Sequence, residues 1–236
     1  MKPGEFHNEN NKMVILALDS TTEACSVALL SGQNMVEKFE VIGRGHAEHL
    51  LPMIDSLLNE NSVTLDEIDL FAYGAGPGSF TGLRIGAAMM QGLALARDRN
   101  LIAVSSLAAL AARHQGLVLS VFDARMEQIY HGLYHSNGDG QAELLGEISV
   151  SSPAAIKLPI AGEIIVTGTG WDRYKDEFLQ MQTRDREIIG VDNEFPHAAD
   201  IARLAIVESE SGRDGDPAEA LPHYVRNKVA KKMSER

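Results

Sequence analysis

The chain has 236 residues, 44% of them hydrophobic, 23% charged and 6% aromatic, which is enough apolar mass for one large domain or two small ones and is not the composition of a disordered chain. Its net charge of −12 argues against a protein that grips nucleic acid unaided, because phosphate contacts dominate that affinity. No run approaches the roughly 18 apolar residues of a membrane span, and the single cysteine, Cys25, excludes an internal disulfide or a cysteine-built zinc site.

Residues 1–12 carry two acids and no apolar segment, so they read as an added, disordered leader rather than a signal peptide, with Met13 as the natural start. Strands are expected over 13–19, 24–30 and 35–41, the last two joined by the turn Ser31-Gly32-Gln33-Asn34. Cys25 falls in an apolar strand-like run and reads as a small core residue of a cytoplasmic protein. A helix follows over 46–59, with Leu50, Leu51, Ile54, Leu57 and Leu58 on one apolar face and Pro52 near its start. Residues 64–67 form a capping turn. Then come a strand over 70–74, a Gly- and Ala-rich helix over 79–97, a strand over 101–104 and a helix over 106–113.

The second half repeats that order. Strands are expected over 117–123, 128–135 and 143–150, with the turn Asn137-Gly138-Asp139-Gly140 between the last two. A helical turn over 153–157, a strand over 164–167, a helix over 171–181, a strand over 187–191 and a helix over 197–210 complete it. The pattern is βββαβα, twice. That order predicts an α/β protein of two ribonuclease-H-like lobes in the actin-like (ASKHA) arrangement, with a cleft between them. A generic doubly wound sheet is disfavoured, because its parallel neighbours need helical crossovers and each half here opens on consecutive hairpin strands. The expected organisation is a first lobe over 13–113, a smaller second lobe over 114–226 and a basic tail over 227–236.

Two segments could meet a ligand. Asp19-Ser20-Thr21-Thr22 ends the first strand, where actin-like folds approach nucleotide phosphates; such residues also commonly just satisfy a turn. The run from Gly74 to Gly86, which includes Gly76, Pro77, Gly78 and Ser79, follows a strand and opens a helix. Glycines and a helix N-terminus suit an anion, yet the same small residues let a helix pack closely. The run is neither a Walker loop nor a dinucleotide fingerprint. Asp19, Ser20, Thr21, Gly76, Gly78 and Ser79 are the candidate nucleotide-binding residues.

The stretch Gly-Pro-Gly-Ser-Phe-Thr-Gly-Leu-Arg-Ile-Gly over 76–86 resembles the TsaB (YeaZ) family. So do Leu16 to Thr21, His46 to Pro52, Asp123-Ala124-Arg125 and Pro222-His223-Tyr224-Val225-Arg226, and the likeness covers residues 13–226. The resemblance implies a shorter, non-catalytic paralog of TsaD, the subunit that threonylcarbamoylates adenosine 37 of tRNAs reading ANN codons. It implies binding to TsaD, a complex joined by the ATPase TsaE, contact with tRNA only through that complex, and a homodimer when alone. TsaD-like proteins carry a His-x-x-x-His metal pair after the glycine-loop helix; by spacing, Ser106 and Leu110 stand at those positions here, and neither holds a metal. No cofactor or metal is expected beyond residual ATP or ADP binding.

Other constellations carry less. His46 and His49 open a helix at i, i+3 without a third ligand nearby, so structural or interface roles are expected. No Gly-x-Ser-x-Gly elbow and no His-Glu-x-x-His occurs, which argues against a protease despite the family's older glycoprotease-like label. Structural roles are expected for Asp123-Ala124-Arg125 and for Val166 to Gly170; the roles of Arg84 and Arg125 stay open. The family pairs through the helices of its first lobe, which makes Leu50, Ile54, Leu57, Ala87, Met90 and Leu93 the candidate partner-interface residues. The alternative is an actin-like ATP-binding phosphotransferase or hydrolase, with Asp19 and the glycine loop on the phosphates.

Overall fold

The computed structural model describes residues 13–213 and 215–225. The leader expected over 1–12 and the basic tail expected over 227–236 lie outside them. No helix among the described residues is long and apolar enough to cross a membrane.

The first sheet opens with an antiparallel meander of β1 (Val14–Asp19), β2 (Ala24–Ser31) and β3 (Asn34–Val41). The chain then forms α1 (His46–Glu60), β4 (Leu70–Gly76), α2 (Phe80–Arg97), β5 (Asn100–Ser105) and α3 (Ser106–Ala111). β4 runs parallel to β1 and β5 parallel to β4, which gives the order β3-β2-β1-β4-β5. Side-chain alternation splits β1 between two cores. Leu16 and Leu18 face α1 and α2, while Ile15 and Ala17 face the other side. A strand buried on both faces must be apolar throughout, hence the unbroken run Val-Ile-Leu-Ala-Leu.

The second sheet repeats this plan with β6 (Gln115–Asp123), β7 (Ile129–Asn137), β8 (Ala142–Leu144), β9 (Ser149–Ser151), β10 (Gly162–Thr167), α4 (Thr169–Leu179), β11 (Arg186–Val191) and α5 (Ala198–Glu210). Its order is β11-β10-β6-β7-β8, with β9 also on β7, so the two lobes share one topology. The single strand expected over 143–150 is instead the pair β8 and β9. Gly146, at φ 96°, takes the chain out of extended geometry between them.

The lobes exchange helices. α3 follows the first sheet but packs Leu107, Leu110 and Ala111 against Val118, Phe122 and Tyr134 of the second. α5 follows the second sheet but packs Ala198, Ile201, Ala202 and Ala205 against Ile15, Ala17, Ala28 and Leu30 of the first. Alanines on the buried face of α5 let it lie close to the strands. The expected second lobe over 114–226 therefore needs correction, because α5 and the segment 215–225 belong spatially with the first lobe. Leu101 N–H donates to the Gly215 carbonyl at 3.0 Å and His223 N–H to that of Ala75 at 2.7 Å.

The expected interface residues also need correction. Leu50, Ile54, Leu57, Ala87 and Met90 are 0–4% exposed and form the first lobe's own core, and Leu93 is half-buried against it. Their helical spacing is that of a face laid on a sheet, and that face is already covered. Cys25 sits in the same core, where burial pushes its thiol up to about 12.

Candidate functional site: the interlobe cleft

Between the lobes lies a cleft of about 440 Å³. Thr21, Thr22, Glu23 and residues 77–81 wall it on the first lobe; residues 122–126, Tyr130 and Thr169 wall it on the second; residues 223–225 close one side. Thr21, Gly78 and Ser79 of the candidate nucleotide residues line it, whereas Asp19, Ser20 and Gly76 stand behind the wall.

Asp19 ends β1 with 1% exposure. Its Oδ1 accepts from Thr21 N–H at 2.9 Å and from the Thr21 hydroxyl at 2.8 Å, and its Oδ2 accepts from the Ser106 hydroxyl at 2.6 Å. Both oxygens are therefore engaged inside the protein. Burial pushes the carboxyl up to about 6, and the bonds from Ser106 and Thr21 pull against that. Ser20 likewise spends its hydroxyl on the Gly82 carbonyl at 2.9 Å. The reading of Asp19 and Ser20 as ligand-facing is thus corrected: they fasten the turn to the helix and strand beside it.

The glycine run explains how close that fastening is. A Cβ on Gly74 would stand 1.9 Å from Asp19 Oδ2, one on Gly78 2.3 Å from the Thr21 carbonyl, and one on Gly82 1.9 Å from the Ser20 carbonyl. Gly86 would meet the Ser20 hydroxyl at 2.6 Å. Of the two readings the sequence leaves open, close packing accounts for all four glycines: Gly74 of β4, Gly78 of the loop, and Gly82 and Gly86 of α2 all press against the β1 turn. Gly76 adds a left-handed φ of 102°, and its Cβ would strike Leu83 at 2.7 Å. Ser79 caps α2, its side chain accepting from Gly82 N–H, and its own N–H donates to the Thr21 carbonyl at 2.7 Å.

The two opening histidines of α1 diverge. His46 is buried and donates from Nε2 to the Thr22 carbonyl at 2.8 Å, so it braces the same turn. His49 is exposed and lies 3.3 Å from Glu40. At the positions matched to a metal pair, Ser106 is bonded to Asp19 and Leu110 lies in the core of the second lobe.

On the far wall, Asp123 ends β6 as Asp19 ends β1. Its carboxylate accepts from Arg125 N–H at 2.9 Å and lies 3.1 Å from Arg125 Nη1 and 3.5 Å from Arg173 Nη1. Arg125, Met126 and Glu127 are all left-handed, at φ 61°, 56° and 58°. Such a run in non-glycine residues costs of order 1–2 kcal/mol per residue, and the Asp123 cap is what holds its first member. Arg125 also reaches Glu23 of the first lobe at 3.5 Å. Thr169 accepts from Asp123 N–H at 3.1 Å, and a Cβ on Gly168 would meet the Val121 carbonyl at 2.4 Å, so this segment packs closely against β6 while Thr169 also lines the cleft.

The third wall joins two motifs 140 residues apart: Arg84 Nε donates to the Tyr224 hydroxyl at 3.0 Å. The Arg84 guanidinium stands 3.7 Å from the centre of the Phe80 ring, and Phe80 and Tyr224 are tilted neighbours at 5.9 Å. Neither segment alone signals this contact. A second polar cluster, around Glu194, had no local sequence signal either, because its members come from four separate segments.

Residues 38–203 match the family model of TsaD, tRNA N6-adenosine threonylcarbamoyltransferase. The chain is 36% identical over 228 residues to the tRNA threonylcarbamoyladenosine biosynthesis protein TsaB of Escherichia coli (strain K12), covering 92% of this chain and 96% of that one. It is 35% identical over 230 residues to the TsaB of Haemophilus influenzae, covering 92% and 95%. YeaZ from Pseudomonas aeruginosa superposes with a TM-score of 0.82 at 39% identity, over 90% of this chain and 99% of that one.

Proposed function

This chain belongs to the TsaB (YeaZ) family, and from that membership we propose that it serves tRNA threonylcarbamoyladenosine biosynthesis as the non-catalytic partner of a TsaD-type transferase. In this reading it binds the TsaD-type subunit, a TsaE-type ATPase joins them, and modification of adenosine 37 in tRNAs reading ANN codons depends on it. Contact with tRNA comes through the complex, as a net charge of −12 favours. The chain is cytoplasmic, and it forms a homodimer when the partner is absent.

The observation that carries the reading is the state of the Asp19 corner. Where the transferase paralog would present a metal-binding helix turn, Ser106 is spent on Asp19, and Leu110 is spent on packing against Val118 and Phe122. The rival reading, an ATP-binding phosphotransferase or hydrolase, needs a free carboxylate at the end of β1, and both Asp19 oxygens already have donors. Residual ATP or ADP binding would fall to Thr21, Gly78 and Ser79 on the cleft wall.

The pairing surface we assign is the outer face of α1 and α2. Leu51 and Leu95 are each 53% exposed there, and Ala88, Gly92 and Ala96 are exposed beside them. A Cβ on Gly92 would meet nothing within 4 Å. A mid-helix glycine costs about 0.5–1 kcal/mol relative to alanine, and no contact among the described residues requires it; a second helix lying close would. Co-purification with a TsaD-type protein tests the reading. A stable pair that Leu51→Glu or Leu95→Glu abolishes supports it, and a pair indifferent to both substitutions contradicts the surface.

A further inference from the structure

The chain returns from the second lobe to the first through the six residues 192–197, between β11 and α5. Both ends of this link are pinned, to different lobes. Near its start, Glu194 Oε2 accepts from the Thr167 hydroxyl of β10 at 2.5 Å and lies 2.6 Å from His114 Nε2, just before β6. Arg113 lies 3.7 Å from the other Glu194 oxygen. At its end, His197 Nδ1 lies 2.8 Å from Glu37 of β3, and its ring stacks on Phe39 at 4.3 Å and 5°. Glu37 and Ser26 also cap α5 directly. Ala198 N–H donates to the Ser26 hydroxyl at 2.6 Å and Ala199 N–H to Glu37 at 3.0 Å. Only Phe195 and Pro196 lie between the anchors, and proline has a fixed φ.

A tether with one anchor swings; a tether anchored to both bodies, with a rigid residue between, behaves as a strut. We infer that residues 192–197 are an interlobe strut that fixes the angle between the lobes, and with it the width of the cleft. A second tie supports it: Arg113, beside the second lobe, reaches Asp200 on α5 of the first at 3.3 Å, and Arg203 holds the other Asp200 oxygen at 2.8 Å. A recess of about 440 Å³ bordered by Arg113, Glu194, Asp200 and Arg203 shares no lining residue with the cleft, so the strut can be altered without touching the cleft walls.

The strut concerns the free chain, so its test needs no partner, and its failure would leave the proposed pairing untouched. Spin labels at Asn59→Cys on α1 and Glu177→Cys on α4, both exposed, report the interlobe distance when labelled chain is diluted into an excess of unlabelled chain, so that distances between copies do not contribute, while the natural Cys25 is buried and does not label. The distance distribution is measured by double electron–electron resonance. One narrow distribution is expected for the otherwise unaltered chain, with at least a doubling of its width in Glu194→Ala combined with His197→Ala. Should that variant fail to fold, Pro196→Gly combined with Thr167→Val is read in its place, with the same expectation. Folded variants that keep the narrow width, or a parent chain already as broad as its variants, would overturn the inference.

Discussion

The Ser106 hydroxyl and Asp19 Oδ2 are 2.6 Å apart, across 87 residues of sequence, and both are fully enclosed. The pair ties the end of β1 to the start of α3, the helix that crosses to the other lobe. It also keeps the one acidic side chain at the end of β1 out of the cleft.

Ser106→Ala leaves that oxygen buried without its donor, which is expected to cost about 1–3 kcal/mol. Equilibrium denaturation measures it. Partner pairing by the folded fraction should be unchanged, because the outer faces of α1 and α2 are not involved.

Asp19 gives a pH signature. Its folded pKa of about 6 lies above the ordinary carboxyl value of 3.8, so the folded state holds this proton more tightly than the unfolded chain does. The associated stability is fully present below about pH 4 and is lost as pH rises through about 6. Asp19→Asn cannot lose a proton. The stability advantage of the parent over this variant should therefore shrink by about 2–3 kcal/mol between pH 4 and pH 7. Paired denaturation curves at the two pH values check it; a constant difference would mean that folding leaves the Asp19 pKa where it is in the unfolded chain.

Core and surface positions of α1 and α2 should separate cleanly. Ile54→Glu and Met90→Glu place a charge in a core where the parent residues are 2% and 0% exposed, and both variants are expected to lose the native fold. Leu51→Glu and Leu95→Glu should change stability by no more than about 0.5 kcal/mol while abolishing pairing. Circular dichroism with size-exclusion chromatography reads both outcomes.

The glycines of α2 should divide the same way. Gly82→Ala forces a methyl group to 1.9 Å from the Ser20 carbonyl, and backbone cannot yield as a side-chain tip does. A loss of about 1–3 kcal/mol is expected. Gly92→Ala meets open space and should stabilise the free chain by about 0.5–1 kcal/mol, yet weaken pairing if a second helix lies against it. Thermal melts and a binding titration of the two variants separate these effects.

Much of this was legible in the sequence. Alternation and helical spacing place most elements within a few residues, because most strands and helices have one or two continuously apolar faces; the split of 143–150 into β8 and β9 is the exception. The order of those elements gave the duplicated lobes. The interface is not legible for a physical reason: Leu50, Ile54 and Met90 are spaced as any amphipathic helix demands, and spacing alone does not say whether sheet or partner covers that face. Local sequence points Asp19 toward the cleft because its donor, Ser106, lies far along the chain. The exchange of α3 and α5 between lobes was equally hidden, since their apolar faces fit either sheet. The Glu194 cluster and the Arg84–Tyr224 contact are tertiary juxtapositions with no local pattern to announce them.

The central claim, a required partner that does no transfer itself, is tested most directly by reconstituted tRNA threonylcarbamoylation. A TsaD-type protein, a TsaE-type ATPase, threonylcarbamoyl-adenylate and an ANN-decoding tRNA are combined with and without this chain, and modified adenosine is quantified by mass spectrometry. The expected result is modification only when chain and transferase are both present, and its loss with Leu51→Glu. Full modification without the chain, or transfer by the chain alone, would contradict the account.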